Sequence, residues 1–100
     1  MEKHQRKLKI ARHIHNLTHE YMRTTDISQH VVILNVDMQN KNNAIIHYSL
    51  AGSPDIEAVE RMHQELLQHT KPLRGFIAKN ALFRYTPKLK FSFDPSYLWT

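Results

Sequence analysis

The sequence predicts an α+β domain in which helices cover one face of a three-stranded sheet. Three observations carry this: a helical repeat of apolar residues near the start, two adjoining stretches with two-residue alternation, and a final alternating stretch that follows a long helical one. A chain of 100 residues has room for one hydrophobic core, so residues 1–100 are read as a single domain.

The first element is a helix over about residues 5 to 23. Ile10, Ile14, Leu17 and Tyr21 recur at steps of four, three and four and share a face, while Lys9, Arg12, Asn16 and Arg23 fall on the other side. One side is therefore core and the other wet and basic. From Thr24 to His30 no period holds, and the segment reads as a loop. Val31 to Met38 is rich in β-formers, with Val32, Leu34, Val36 and Met38 assigned to the inner face and Asn35 and Asp37 to the outer. The polar run Gln39 to Asn43 makes the hairpin, and asparagine's tolerance of left-handed backbone angles is the expected device. Ile46, Tyr48 and Leu50 return along the core side, with His47 and Ser49 outward.

Ser53 is placed as the cap of the next helix, with Pro54 at its first position and Asp55 and Glu57 in the first turn, where carboxylates suit the positive end of the helix dipole. The inner stripe is Val59, Met62 and Leu66, widened by Ile56 and Leu67, and Glu57, Arg61, Gln64 and Gln68 face water. Pro72 lacks an amide donor and its ring clashes with the preceding turn. The helical stretch from 54 to about 83 is therefore expected to split there into two helices at an angle. Leu73, Phe76 and Ile77 resume the stripe after the break.

In the last strand Leu89, Phe91 and Phe93 face the core while Lys88, Lys90 and Ser92 face solvent. Pro87 stands at its entrance, and Asp94-Pro95-Ser96 turns the chain away. The predicted core is Ile14, Leu17, Tyr21, Leu34, Val36, Ile46, Tyr48, Val59, Leu66, Phe76, Ile77, Leu89, Phe91 and Phe93. The order helix, strand, strand, helix, kink, helix, strand is that of a type II KH domain.

Charge is unevenly spread. Residues 1–25 carry +4, residues 26–70 carry −4 and residues 71–100 carry +5, so the chain is basic at both ends and acidic in the middle. A fold that brings the ends together gains a cationic face suited to a phosphate backbone. Three basic sets are candidates for that contact: Lys71, Arg74 and Lys79 around Gly75; Arg84, Lys88 and Lys90 beside Tyr85; and Lys3, Arg6, Lys7, Lys9 and Arg12 on the first helix. The first set is expected to face solvent, and Pro72 and Gly75 to set the angle between two helices. Solvation of an ordinary helix surface is the competing reading of Lys71, Arg74 and Lys79. Phe83 or Tyr85 can stack on a base, although an aromatic beside a core strand more often packs.

The closing segment, with Pro87, Leu89, Phe91, Asp94 and Ser96, resembles the ending P-x-L-x-F-x-x-D-x-S of the bacterial ribosome-binding factor A family, and the order of elements agrees from Lys9 to Ser96. The family replaces the GxxG loop of ordinary KH domains with an A-x-G kink. Leu73-Arg74-Gly75 keeps its glycine and has leucine in place of the alanine. The resemblance implies a KH-like fold that binds the free small (30S) ribosomal subunit, assists late maturation and 5′-end processing of its 16S rRNA, and works with other assembly factors. A generic KH-like RNA-binding protein and a protein-interaction module with no RNA role are the rival readings.

Eight histidines include His15 and His19, four apart on the first helix, but His13 lies on a different face and His19-Glu20 does not begin an H-E-x-x-H motif. No metal site is expected. Two glycines are too few for a P-loop or dinucleotide loop, and no spacing selects a nucleophile and base, so the chain is read as a non-enzyme without a cofactor. The absence of cysteine suits a reducing compartment. No apolar run approaches the roughly 18 residues of a membrane helix, and the first helix lacks the apolar core of a signal peptide. The expected setting is the bacterial cytoplasm, with an organelle matrix as the alternative, and the expected state is a monomer without membrane contact.

Overall fold

Apolar steps of three and four wind Glu2–Met22 into α1, which buries Ile14 and Leu17 and leaves Arg6, Lys7, Lys9 and Arg12 exposed. The computed structural model describes residues 2–81 and 83–95. A short 3-10 helix, Asp26–Gln29, occupies the segment read as a loop and buries Ile27. Strands β1 (Val31–Asn40) and β2 (Asn43–Leu50), helix α2 (Ile56–Asn80) and strand β3 (Lys88–Phe93) follow. The sheet is mixed, in the order β1-β2-β3, with β1 and β2 antiparallel and β2 and β3 parallel. With α1 over β1, α2 over β3 and the helices touching each other, the α+β architecture predicted from the periodicities is the one observed.

The inner face of β1 is not the one its alternation indicates. In register, Val31 faces Leu50, Ile33 faces Tyr48, Val36 faces Ile46 and Met38 faces Ala44, and the ladder skips between Ile33 and Asn35. Leu34 is thus the extra residue of a β-bulge, which shifts the inward parity by one. Val31 and Ile33 therefore take the inner positions assigned to Val32 and Leu34, and Leu34 alone of the predicted core falls outside the cluster. The hairpin also differs. Lys41 and Asn42 form its turn, and among the described residues only Gly52 has a positive φ, so no asparagine uses a left-handed conformation. Instead the Asn40 side chain accepts from the Asn42 N–H at 2.8 Å and from Asn43 Nδ2 at 3.0 Å, a side-chain substitute for turn geometry. Ser49, expected outward, is fully buried between Val32 of β1 and the Asp94 end of β3.

Helix α2 starts two residues later than expected. Asp55 rather than Ser53 is the cap, its carboxylate accepting from the Ala58 N–H at 2.8 Å. Ile56 and Leu67, meant to widen the stripe, are 77% and 48% exposed. The break at Pro72 is absent, and one helix of 25 residues runs through it. Burial explains this: Val59, Met62, Leu66, Leu73 and Ile77 stay on one inner face across the proline, and Pro72 lies on the exposed side. There the helix is free to bow outward around its lost hydrogen bond.

Two tyrosine–histidine pairs fasten α2 to what lies beneath. The Tyr48 hydroxyl and His63 Nδ1 are 2.7 Å apart, and the Tyr21 hydroxyl and His69 Nδ1 2.8 Å apart, each pair hydrogen-bonded. Burial pushes the Tyr48 phenol up from 10.0 to about 12 and raises that of Tyr21. The Ser96 position lies outside the described residues.

Candidate nucleic-acid interface

The loop between α2 and β3 is held from three directions. Phe83 packs edge-to-face against His13 of α1, with ring centroids 5.6 Å apart. The Arg74 guanidinium donates through Nε to the Pro87 carbonyl at 3.2 Å and through Nη2 to the Thr86 carbonyl at 2.8 Å. The Lys88 N–H donates to the Asn42 carbonyl at 2.8 Å, which locks the loop's exit to the hairpin end. Between these ties Tyr85 stands 71% exposed, with the Arg84 guanidinium carbon 5.8 Å from its ring centroid.

This loop joins the two basic ends of the chain. Ile10 of α1, Met38, Lys41 and Asn42 at the hairpin, and Phe83, Arg84, Tyr85 and Pro87 line one concavity of about 320 Å³. The strand register carries the cationic row onward, since Lys88 lies beside Asn43 and Lys90 beside Ile45 on the face of the sheet turned away from the helices. On the outer side of α1, a separate hollow is lined by Gln5, Leu8, Lys9 and Arg12, with Leu8 57% exposed. Arg6 and Lys7 are exposed on the same helix, and the Lys3 side chain is outside the described part of the structure.

All three cations of the set around Gly75 face solvent, as expected, but they are not equally free. Lys71 and Lys79 are exposed on the outer side of α2, opposite Leu73 and Ile77. Arg74 also reaches the surface, but its guanidinium is committed to the loop, so it positions Arg84 and Tyr85 rather than standing free. Gly75 is an exposed residue inside a continuous helix, and a Cβ added there meets nothing within 4 Å. It is not a hinge, because with no break at Pro72 there is no angle for it to set.

Sequence reasoning passed over Lys41, which only the hairpin's tight turn brings beside the loop. Tyr85, expected to pack more often than not, is free. Cations at the rim and an exposed ring suit phosphates and an unstacked base. Among the described residues no three histidine, cysteine or carboxylate side chains gather as a metal site, and no helix is long and apolar enough to cross a membrane.

No protein-family model matches the sequence, and no curated protein does. Solved structures do. The crystal structure of ribosome-binding factor A from Thermus thermophilus superposes with a TM-score of 0.72 at 12% identity, covering 87% of this chain and 93% of that one. The fold is that of ribosome-binding factor A. A Thermotoga maritima protein provisionally named a ribosome binding factor A, solved by NMR, matches with a TM-score of 0.74 at 24% identity over 87% of this chain and 85% of its own. The resemblance seen in the closing strand thus extends to the whole arrangement of α1, the mixed sheet and α2, and ribosome-binding factor A shares this arrangement with little residue identity.

Proposed function

We propose that this protein is a ribosome assembly factor. It binds the free small (30S) subunit through its basic end and assists late maturation of the 16S rRNA, including 5′-end processing, in the cytoplasm and without catalysis of its own. The observation that carries the reading is the meeting of Lys41, Arg84, Tyr85 and Lys88 at one end of a fold shared with ribosome-binding factor A. Lysine and arginine neutralise phosphates whatever the base sequence, which gives affinity to folded RNA, and Tyr85 adds a ring on which an unpaired base stacks. The wet face of α1 extends the cationic surface through Arg6, Lys7, Lys9 and Arg12.

Sucrose-gradient sedimentation against purified free small subunits and against complete ribosomes tests this. The expected result is co-migration with the free subunit only, weakening steeply with salt. If about six phosphates are neutralised, the logarithmic salt slope is about −5, by analogy with duplex DNA. Equal binding to unrelated RNAs would favour the generic binder, and indifference to RNA at every salt concentration the interaction module.

A further inference from the structure

Two carboxylates from the acidic middle of the chain, Glu57 and Glu60, border a surface at the rim of the sheet. Strand β3 pairs with β2 on one side, and the strand order leaves its other side at the edge. Its alternation sorts backbone groups as well as side chains. The Lys88 N–H donates to Asn42 and the Asp94 N–H to Tyr48, each at 2.8 Å, so even-numbered residues turn their amides toward β2. In a parallel ladder the residues between them, Leu89, Phe91 and Phe93, then direct both N–H and C=O away from β2. Among the described residues no strand pairs with that side.

Alongside the edge, between β3 and the first half of α2, runs a groove of about 790 Å³. Val59 and Phe93 supply its accessible apolar surface above the buried Tyr48 and Phe91, and Glu57 and Glu60 stand on its α2 side with Arg61 and His63. On the opposite face of the same strand Lys88 and Lys90 are exposed. The edge therefore has one side that is apolar and acidic and another that is basic.

We propose that this edge docks an extended segment of a partner protein as a fourth strand. Its alternate side chains are apolar or basic toward the groove and acidic toward Lys88 and Lys90. Outward backbone groups supply the pairing, and the two faces of the strand supply the selection. A second copy of this chain is a poor occupant, because pairing β3 with itself gathers Lys88 and Lys90 of both copies on one face, and like charges across strands repel. This role goes beyond the RNA-binding reading and stands without it.

The test uses the full chain and two short capped peptides. One alternates Glu with Val and Arg, and the other keeps the Val positions with every charge reversed. Amide hydrogen exchange is followed by NMR, and affinity by titration. The first peptide is expected to slow exchange at Leu89, Phe91 and Phe93 and to bind roughly tenfold more tightly than its reversed counterpart, and N-methylation of its alternate amides to abolish the protection. Unchanged exchange at saturating peptide overturns the proposal, as does equal affinity for the two peptides. Protection already present in the free protein also overturns it: if it rises with protein concentration the occupant is a second copy, and if not the edge is covered within the chain.

Discussion

The first half of α2 turns Glu57, Glu60, Arg61 and Glu65 to water, and the second half turns Lys71, Arg74 and Lys79. Beneath them the packing does not change, since Leu66, Leu73 and Ile77 are all 0% exposed. Part of the charge reversal is helix physics: acids suit the N-terminal turn and bases the C-terminal one. That preference fades within a turn of each end, and Glu65 and Lys71 lie mid-helix, so the reversal also separates two surfaces. One helix presents an acidic groove beside β3 and a basic side that braces the loop before that strand. Packing and surface are thus encoded at different positions of the same helix.

Leu66→Ala and Leu73→Ala, on either side of Pro72, probe the shared face and carry the largest expected effect. Each is expected to cost about 2–5 kcal/mol, because each empties a fully buried site. Chemical denaturation measures both. A markedly smaller loss for Leu73 would mean that the halves pack separately.

The tyrosine–histidine pairs give each half a titratable anchor. The folded-state pKa of Tyr48 lies above its ordinary 10.0, at about 12, so the stability it contributes is complete below pH 10 and is lost as pH rises toward 12. Over that window the loss is on the order of 2 kcal/mol. Tyr48→Phe is expected to flatten the alkaline limb of the melting profile more than Tyr21→Phe, whose phenol is raised by burial alone as well.

On the basic half, Arg74 separates bracing from contact. Arg74→Ala removes two bonds to loop carbonyls and is expected to lower stability by about 1–2 kcal/mol and to loosen Tyr85, visible as faster exchange in the loop. Lys71→Ala and Lys79→Ala are expected to leave the melting point nearly unchanged while weakening RNA binding. Equal melting behaviour for all three would remove the distinction.

Gly75 gives the smallest effect. With open space at its Cβ position and a continuous helix around it, Gly75→Ala is expected to stabilise by up to about 1 kcal/mol, and binding to persist. A destabilised or inactive Gly75→Ala would restore the hinge.

Strand and helix periods made the architecture readable, because burying one face requires those periods. Val59, Leu66 and Ile77 are where their spacing puts them. Three departures came from effects that periodicity does not carry. A bulge at Leu34 shifts parity without altering composition. Asp55 competes with Ser53 for the cap, and either suits. Tertiary burial on both sides of Pro72 outweighs one lost hydrogen bond. The candidate interface was legible as charge, from Arg12, Arg84 and Lys88, but not as geometry. Lys41 joins it only through a hairpin turn, and Arg74 is tied to the loop by two carbonyl bonds made across the fold.

The most direct test of the proposed RNA-binding end is sedimentation of the variant carrying Lys41→Glu, Arg84→Glu and Lys88→Glu with free small subunits, its melting curve recorded beside the parent's. The account predicts an unchanged fold and a protein that stays at the top of the gradient. A variant that melts like the parent and still travels with the subunit would contradict it.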